Sequence, residues 1–146
     1  MTVGVVVVSH SRALADAAVE LAHAVLPPAG VRVEVAAGAP DGGFGTDAVA
    51  VSEAVTAADD GAGVVVLMDL GSAVLSAETA LELLDDDVRG RVVLSAAPLV
   101  EGLVGAVALA GGGADRDAVA AEALRGLTPK QTHLGAGPPG SARRPT

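Results

Sequence analysis

Two short runs of β-branched residues, each halted by an ionisable side chain, constrain this chain more than any other feature. "GVVVVSHS" at positions 4–11 ends in His10 between two serines, and "GVVVLMDLGSA" at 63–73 ends in Asp69 before a Gly-Ser pair. Apolar runs of this length without polar alternation mark strands covered on both faces, as in a parallel sheet. Parallel neighbours need a crossover between them, usually a helix. The chain must therefore wind back over its own sheet.

The rest of the sequence obliges. A first strand is predicted over Val3–Val8. Ser9 or Ser11 then caps a helix reaching about Leu26, where Leu14, Ala18, Leu21 and Val25 recur at helical spacing and give it one apolar face. Pro27-Pro28 and Gly30 stop that helix. "VRVEVAA" from Val31 alternates apolar and charged residues, as a strand nearer an edge does. A glycine-rich loop, "GAPDGGFGTD" (38–47), leads into a helix over roughly Thr46–Ala58. The second valine run is the third strand, followed by a helix from about Val74 to Leu84. "RVVLSAAP" is a fourth strand, "LVEGLVGAVALAGGG" a helix that stops in glycine, and Asp115 to about Arg125 another. Asp59-Asp60 and Asp85–Asp87 read as solvated loops. Residues 128–146, rich in Gly, Pro, Ser and Arg, read as a flexible tail after one domain over residues 1–127. Four strand–helix alternations imply an α/β, doubly wound, mainly parallel sheet with helices on both faces.

Composition narrows the chemistry. At 146 residues one domain can bury roughly 68–70% of its unfolded surface. Eighteen acidic against nine basic residues give a net charge of −9, and Phe44 is the sole aromatic. Neither a phosphate backbone nor a base-stacking surface is served by such a chain. Without cysteine there is no thiolate chemistry, disulfide or cysteine metal site. No apolar stretch is long enough to cross a bilayer, so a cytoplasmic protein is expected.

In doubly wound sheets, ligands sit beyond the carboxyl ends of the strands, where the strand order reverses. His10, Asp69 and the glycine-rich loop all fall at such ends. Two readings fit His10. It can be part of a Ser-His-Ser turn that satisfies the free N–H groups of the first helix. Equally, a carboxylate accepting from one ring nitrogen fixes the tautomer and leaves the other nitrogen nucleophilic. Asp69 can likewise cap a turn, while Gly71 and Ser72 offer N–H groups and a hydroxyl at a helix start, which suits an anion. "GGFGTD" is a second candidate anion loop, although as a dinucleotide fingerprint it follows the wrong strand. His23 lies opposite the apolar stripe of the first helix and His133 lies in the tail. Three scattered histidines give little support for a metal.

Three function classes compete for these residues. A phospho-aspartate receiver wants an acidic pair after the first strand to hold magnesium, and Ser9-His10 stand there. A serine hydrolase could be drawn from Ser72 or Ser9 with His10 and Asp69, but the G-x-S-x-G elbow is missing. A phosphohistidine carrier needs a nucleophilic imidazole, an orienting carboxylate and nearby N–H donors, and all three are present.

"VSHS" (8–11), "GTD" (45–47), "VLMDLGSAVLSAETALELL" (66–84) and "SAAPLVEGLVGAV" (95–107) together resemble one family. It is the phosphocarrier subunit of phosphoenolpyruvate-dependent dihydroxyacetone kinase, a mannose-type enzyme IIA domain of the phosphotransferase system. The resemblance implies a phosphotransferase component in which His10 takes a phosphoryl group from the small carrier HPr, with Asp69 beside it. It places Gly45, Thr46, Gly71 and Ser72 in the loops around the phosphoryl group, with Ser9 and Ser11 flanking the histidine. The group then passes to ADP in a partner kinase subunit, with no cofactor held beyond the transient phosphoryl group on His10. The implied strand order is 2-1-3-4, with a possible antiparallel fifth strand exchanged in a homodimer. A mannose-type sugar-transport IIA domain, or a regulatory phosphoacceptor of the same fold, is the alternative.

Overall fold

Branching at Cβ suits a pleated strand and crowds a helix, and the two valine runs become the inner strands of one sheet. The computed structural model describes residues 1–26 and 30–135. Its strands are β1 (Gly4–Ser9), β2 (Val33–Ala37), β3 (Val64–Met68) and β4 (Val92–Leu94). All pair in parallel, in the order β2-β1-β3-β4. The expected α/β fold and 2-1-3-4 order are thus observed. The described residues contain no fifth strand: the glycines after Ala110 close a helix and lead into another.

The helices are α1 (Arg12–Val25), α2 (Ala48–Ala58), α3 (Gly71–Glu82), α4 (Asp86–Arg89), α5 (Leu99–Gly111), α6 (Arg116–Leu124) and α7 (Thr128–Leu134), with a 3₁₀ turn at Arg125–Leu127. They cover both faces of the sheet. Because successive strand residues point to opposite sides, Val5, Val7, Val65 and Leu67 face α1, α5 and α6, where Ala15, Ala18, Leu103 and Ala123 meet them. Val6, Val8, Val64 and Val66 face α2 and α3, against Val51, Val55, Ala73 and Ala77. The inner strands carry a core on each side, which is why they show no alternation.

Alanine on the inward helix faces lets backbone approach backbone. Gly4 shows how closely: a Cβ there would lie 2.2 Å from the Ala58 carbonyl oxygen at the end of α2. The same economy overturns one expectation. On α1 the buried residues are Ala15, Ala18 and Ala22, while Leu14, Leu21 and Val25 are 46%, 48% and 59% exposed. The larger residues of the predicted stripe lie toward solvent, and the helix rests on alanine methyls with Val19 and Leu26 packed beside them. Ser11 caps α1 by accepting from the Leu14 N–H. The Pro27-Pro28 pair expected to stop the helix lies outside the described residues.

Three further boundaries differ from expectation. Helix α3 begins at Gly71, not Val74, so the Gly-Ser pair is its first turn. Asp86 and Asp87 belong to the short α4, and Arg89 turns back to the Leu81 and Leu84 carbonyls. The segment from Thr128, read as tail, opens with α7, whose Lys130 pairs with Glu101 of α5. Lys130 holds the Glu101 carboxyl below its ordinary range. The remainder, from residue 136, lies outside the described residues.

Candidate functional site

Register decides the site. Val8 of β1 lies beside Met68 of β3, so the residues that follow, His10 and Asp69, emerge together at the carboxyl edge. That edge lies between β1 and β3, where the winding reverses. The Asp69 N–H donates to the Val8 carbonyl at 3.1 Å, locking the two strand ends to each other.

Asp69 is the hub. Its Oδ1 accepts from the Leu70 N–H at 2.7 Å and meets His10 Nδ1 at 2.9 Å. Its Oδ2 accepts from the His10 backbone N–H and from the Ser9 hydroxyl, both at 2.9 Å. Burial of this side chain, only 8% exposed, pushes the carboxyl up. The His10 N–H, the His10 ring, the Ser9 hydroxyl and the Leu70 N–H outweigh burial and hold it below the usual carboxylate range. An ionised carboxylate only accepts, so the proton between the two side chains belongs to Nδ1.

In the neutral imidazole the other ring nitrogen, Nε2, then carries the lone pair. His10 Nε2 lies 2.6 Å from Ser72 Oγ, and in that tautomer the hydroxyl donates to it. Ser72 stands in the first turn of α3, next to Gly71 and to an N-cap, Leu70, that offers no side-chain oxygen. The N–H groups of that first turn are thus left without a side-chain cap, at the positive end of the helix dipole. The His10 side chain is 23% exposed, against 8% for Asp69.

The remaining expected residues make other bonds. Ser9 is fully buried behind Asp69, sharing its hydroxyl proton between Asp69 and the Ser11 carbonyl. Ser11 caps α1, and its N–H donates to Ser9 Oγ. The Gly45 N–H donates to the His10 carbonyl at 2.9 Å, from a backbone at φ +144° that favours glycine. Thr46 Oγ1 bonds Ser76 Oγ at 2.5 Å, fastening the loop to α3. Ser72 alone of these residues meets Nε2 of the ring, with Gly71 beside it in the first turn of α3. Ser9 and Gly45 spend these polar groups on Asp69 and His10, while Ser11 serves the α1 start and Thr46 ties the loop to α3.

Sequence reasoning missed Leu70 as a donor to Asp69 and Ser76 as the partner of Thr46. The Ser72–Ser76 spacing of four would have shown the second, had α3 been started at Gly71. His23 is exposed on α1 and His133 on α7, both away from the site. Beside Asp69 and Leu70 opens an apolar cleft of about 500 Å³, lined by Met68, Val74, Leu94, Pro98 and Leu99. No described helix is long and apolar enough to cross a membrane.

A strand-end histidine anchored to the next strand's aspartate is a constellation that can be compared with known proteins. Residues 4–120 match the family of the PTS system fructose IIA component, EIIA-man. The chain belongs to that family. The matched EIIA-man region runs from the start of β1 into α6 and holds every site residue named above. Over 142 residues, 96% of this chain, it is 47% identical to the phosphoryl donor subunit DhaM of the PEP-dependent dihydroxyacetone kinase of Pantoea ananatis. It is 46% identical over 91% of its length to the DhaM subunit of Escherichia coli. It spans 30% and 29% of the lengths of those two relatives. A DhaM subunit of the PEP-dependent dihydroxyacetone kinase 2 of Listeria innocua, 34% identical over 100 residues, is covered over 79% of its length. The crystal structure of a protein of unknown function superposes with a TM-score of 0.76 at 31% identity, covering 86% of this chain and 95% of that one.

Proposed function

We propose that this EIIA-man chain is a phosphohistidine carrier: His10 Nε2 takes a phosphoryl group from phospho-HPr and yields it to ADP bound in a dihydroxyacetone kinase subunit. The observation that carries the reading is the polarity of the His10 ring. Nδ1 is tied to Asp69, and Nε2 faces Ser72 in the first turn of α3, where the neutral ring presents its lone pair.

Transfer follows directly from this arrangement. The Nε2 lone pair attacks phosphorus in line, the donor's P–N bond breaks as the Nε2–P bond forms, and the donor imidazole keeps its own ring proton. On this chain the proton stays on Nδ1, and the Asp69 charge stabilises the phosphoimidazolium. Ser72 releases Nε2 and turns its hydroxyl to a phosphoryl oxygen, joined by the first N–H groups of α3. Little more is needed, since phosphoryl transfer is governed by positioning and by charge stabilisation. The acceptor ADP, the later phosphorylation of dihydroxyacetone and a cytoplasmic homodimer complete the proposal. The names of the Pantoea, Escherichia and Listeria relatives support the kinase branch over sugar transport. No cofactor beyond the transient phosphoryl group enters it.

Incubation with phosphoenolpyruvate, enzyme I and HPr should add one acid-labile phosphoryl group, read by intact mass. His10→Ala should acquire none; a variant that is still labelled sinks the assignment. A second reading has one observation behind it, because Ser72, His10 and Asp69 are linked as the members of a serine-hydrolase triad are. Labelling of Ser72 by a fluorophosphonate would favour it, and an inert Ser72 leaves the carrier alone.

A further inference from the structure

Phe44 is the sole aromatic residue of 146, and it is 86% exposed. A ring in water contributes nothing to the fold, and aromatic side chains are enriched where proteins grip one another. Its position is specific. The next residue, Gly45, donates to the His10 carbonyl, and the ring lines a small hollow of about 170 Å³ with Ser11, Arg12 and Ala13 of the α1 start. Two other exposed apolar residues are tied as closely to the site. Leu14 donates its N–H to the Ser11 cap, and Leu70, 62% exposed, donates its own to Asp69. Exposed apolar side chains thus follow closely in the chain on Ser11 and on Asp69, as Phe44 precedes Gly45.

The loop under Phe44 is braced. Gly43 N–H donates to Asp41 Oδ1 at 2.8 Å, Ala39 N–H to the Gly43 carbonyl and Gly42 N–H to the Ala39 carbonyl, both at 2.9 Å. A side chain held out on a hydrogen-bonded turn loses little freedom when it is seated, which is what an anchor requires. The charges on this rim are mainly acidic. Arg12 is paired with Asp16 at 3.7 Å, and Asp41 and Asp47 stand on the loop itself.

We propose that Phe44 anchors the phosphoryl-donor protein over His10, seating in an apolar hollow of that partner ringed by basic side chains. The proposal rests on the carrier reading above. A donor whose own phosphohistidine must reach Nε2 cannot avoid covering this rim, because transfer needs reacting atoms about 3–3.5 Å apart. The cationic surround of the partner follows from the acidic rim. Phe44 touches no reacting atom; it is a positioning residue.

The test compares two donors for His10. From phospho-HPr, Phe44→Ala should lower kcat/KM for phosphorylation roughly ten- to hundredfold, while Phe44→Leu recovers most of it. From phosphoramidate, whose P–N bond breaks with loss of ammonia and which needs no docking surface, the two variants and the parent chain should react at equal rates. A Phe44→Ala variant within twofold of the parent with phospho-HPr overturns the proposal. So does an equal loss with phosphoramidate, which would make Phe44 a prop of the site. A defect confined to onward transfer to the kinase subunit would assign the anchor to the acceptor and overturn it too. If the parent chain takes a phosphoryl group from neither donor, the carrier reading itself falls and brings this proposal down with it.

Discussion

Asp69 does the work of several residues because four donors converge on its two oxygens. Replacing it by asparagine would alter more than charge. The amide nitrogen would offer a donor to Nδ1, favouring the tautomer with its proton on Nε2, where the lone pair is needed. Asp69→Asn is expected to slow phosphorylation of His10 by about 10²–10⁴-fold at neutral pH with the fold retained. Single-turnover labelling by phospho-HPr, beside a far-UV circular dichroism spectrum, measures both. A loss smaller than tenfold would mean that the carboxylate is not what sets the tautomer. His10 and Asp69 were legible as a pair, because each interrupts a valine run at the same point. The part of Gly45 was not, since a backbone N–H given to the His10 carbonyl leaves no trace in residue type.

Among the elements, the strands were easier to read than the helix faces. β1 and β3 are buried on both sides, so unbroken valine is their signature. On α1 the usual rule, that the larger apolar residues point inward, fails. Here Ala15, Ala18 and Ala22 face the sheet, and Leu14, Leu21 and Val25 do not. A pattern that weights leucine above alanine selects the wrong side of such a helix. Close packing has a second consequence at Gly4, where β1 passes under the last turn of α2. Gly4→Ala forces one of the two backbones to move and should destabilise the chain by about 1–3 kcal/mol or more. Urea unfolding followed by circular dichroism would show it as a lower midpoint with the slope little changed. The start of α3 was hidden for a different reason: Leu70 caps it without a side-chain hydrogen bond, so no Ser, Asp or Asn announced the boundary.

At the level of the whole molecule, the edge of the sheet that carries His10 and its opposite edge are held by different means. Far from His10, Asp59 at the end of α2 is paired with Arg91 ahead of β4 at 2.6 Å. The Arg91 guanidinium, helped by N–H groups of Gly61 and Gly63, outweighs the effect of burial and keeps the Asp59 carboxyl below its ordinary range. A carboxylate with a depressed folded pKa contributes stability that is present above its unfolded value, near 3.9, and is lost as pH falls through the folded one. Asp59→Asn should therefore flatten the acid limb of the stability curve below about pH 4 while lowering stability at pH 7. Thermal unfolding at pH 3 and pH 7 for the two chains tests it; parallel losses in both would remove Asp59 from the account. The doubly wound plan was readable because it follows from the order of elements. The α7 clamp was not, because Lys130 and Glu101 meet only through the path the chain takes after α6.

The interior of this protein is built without a phenyl ring, and the single one it has stands in water one residue from the Gly45 that bonds His10. With neither tryptophan nor tyrosine, the molecule is almost dark to ultraviolet spectroscopy. A tryptophan written into position 44 would be its lone fluorophore, already stationed on the rim of the site. A change in its emission on mixing with a protein that lacks tryptophan would then come from position 44 alone, one residue from the Gly45 that holds the His10 carbonyl.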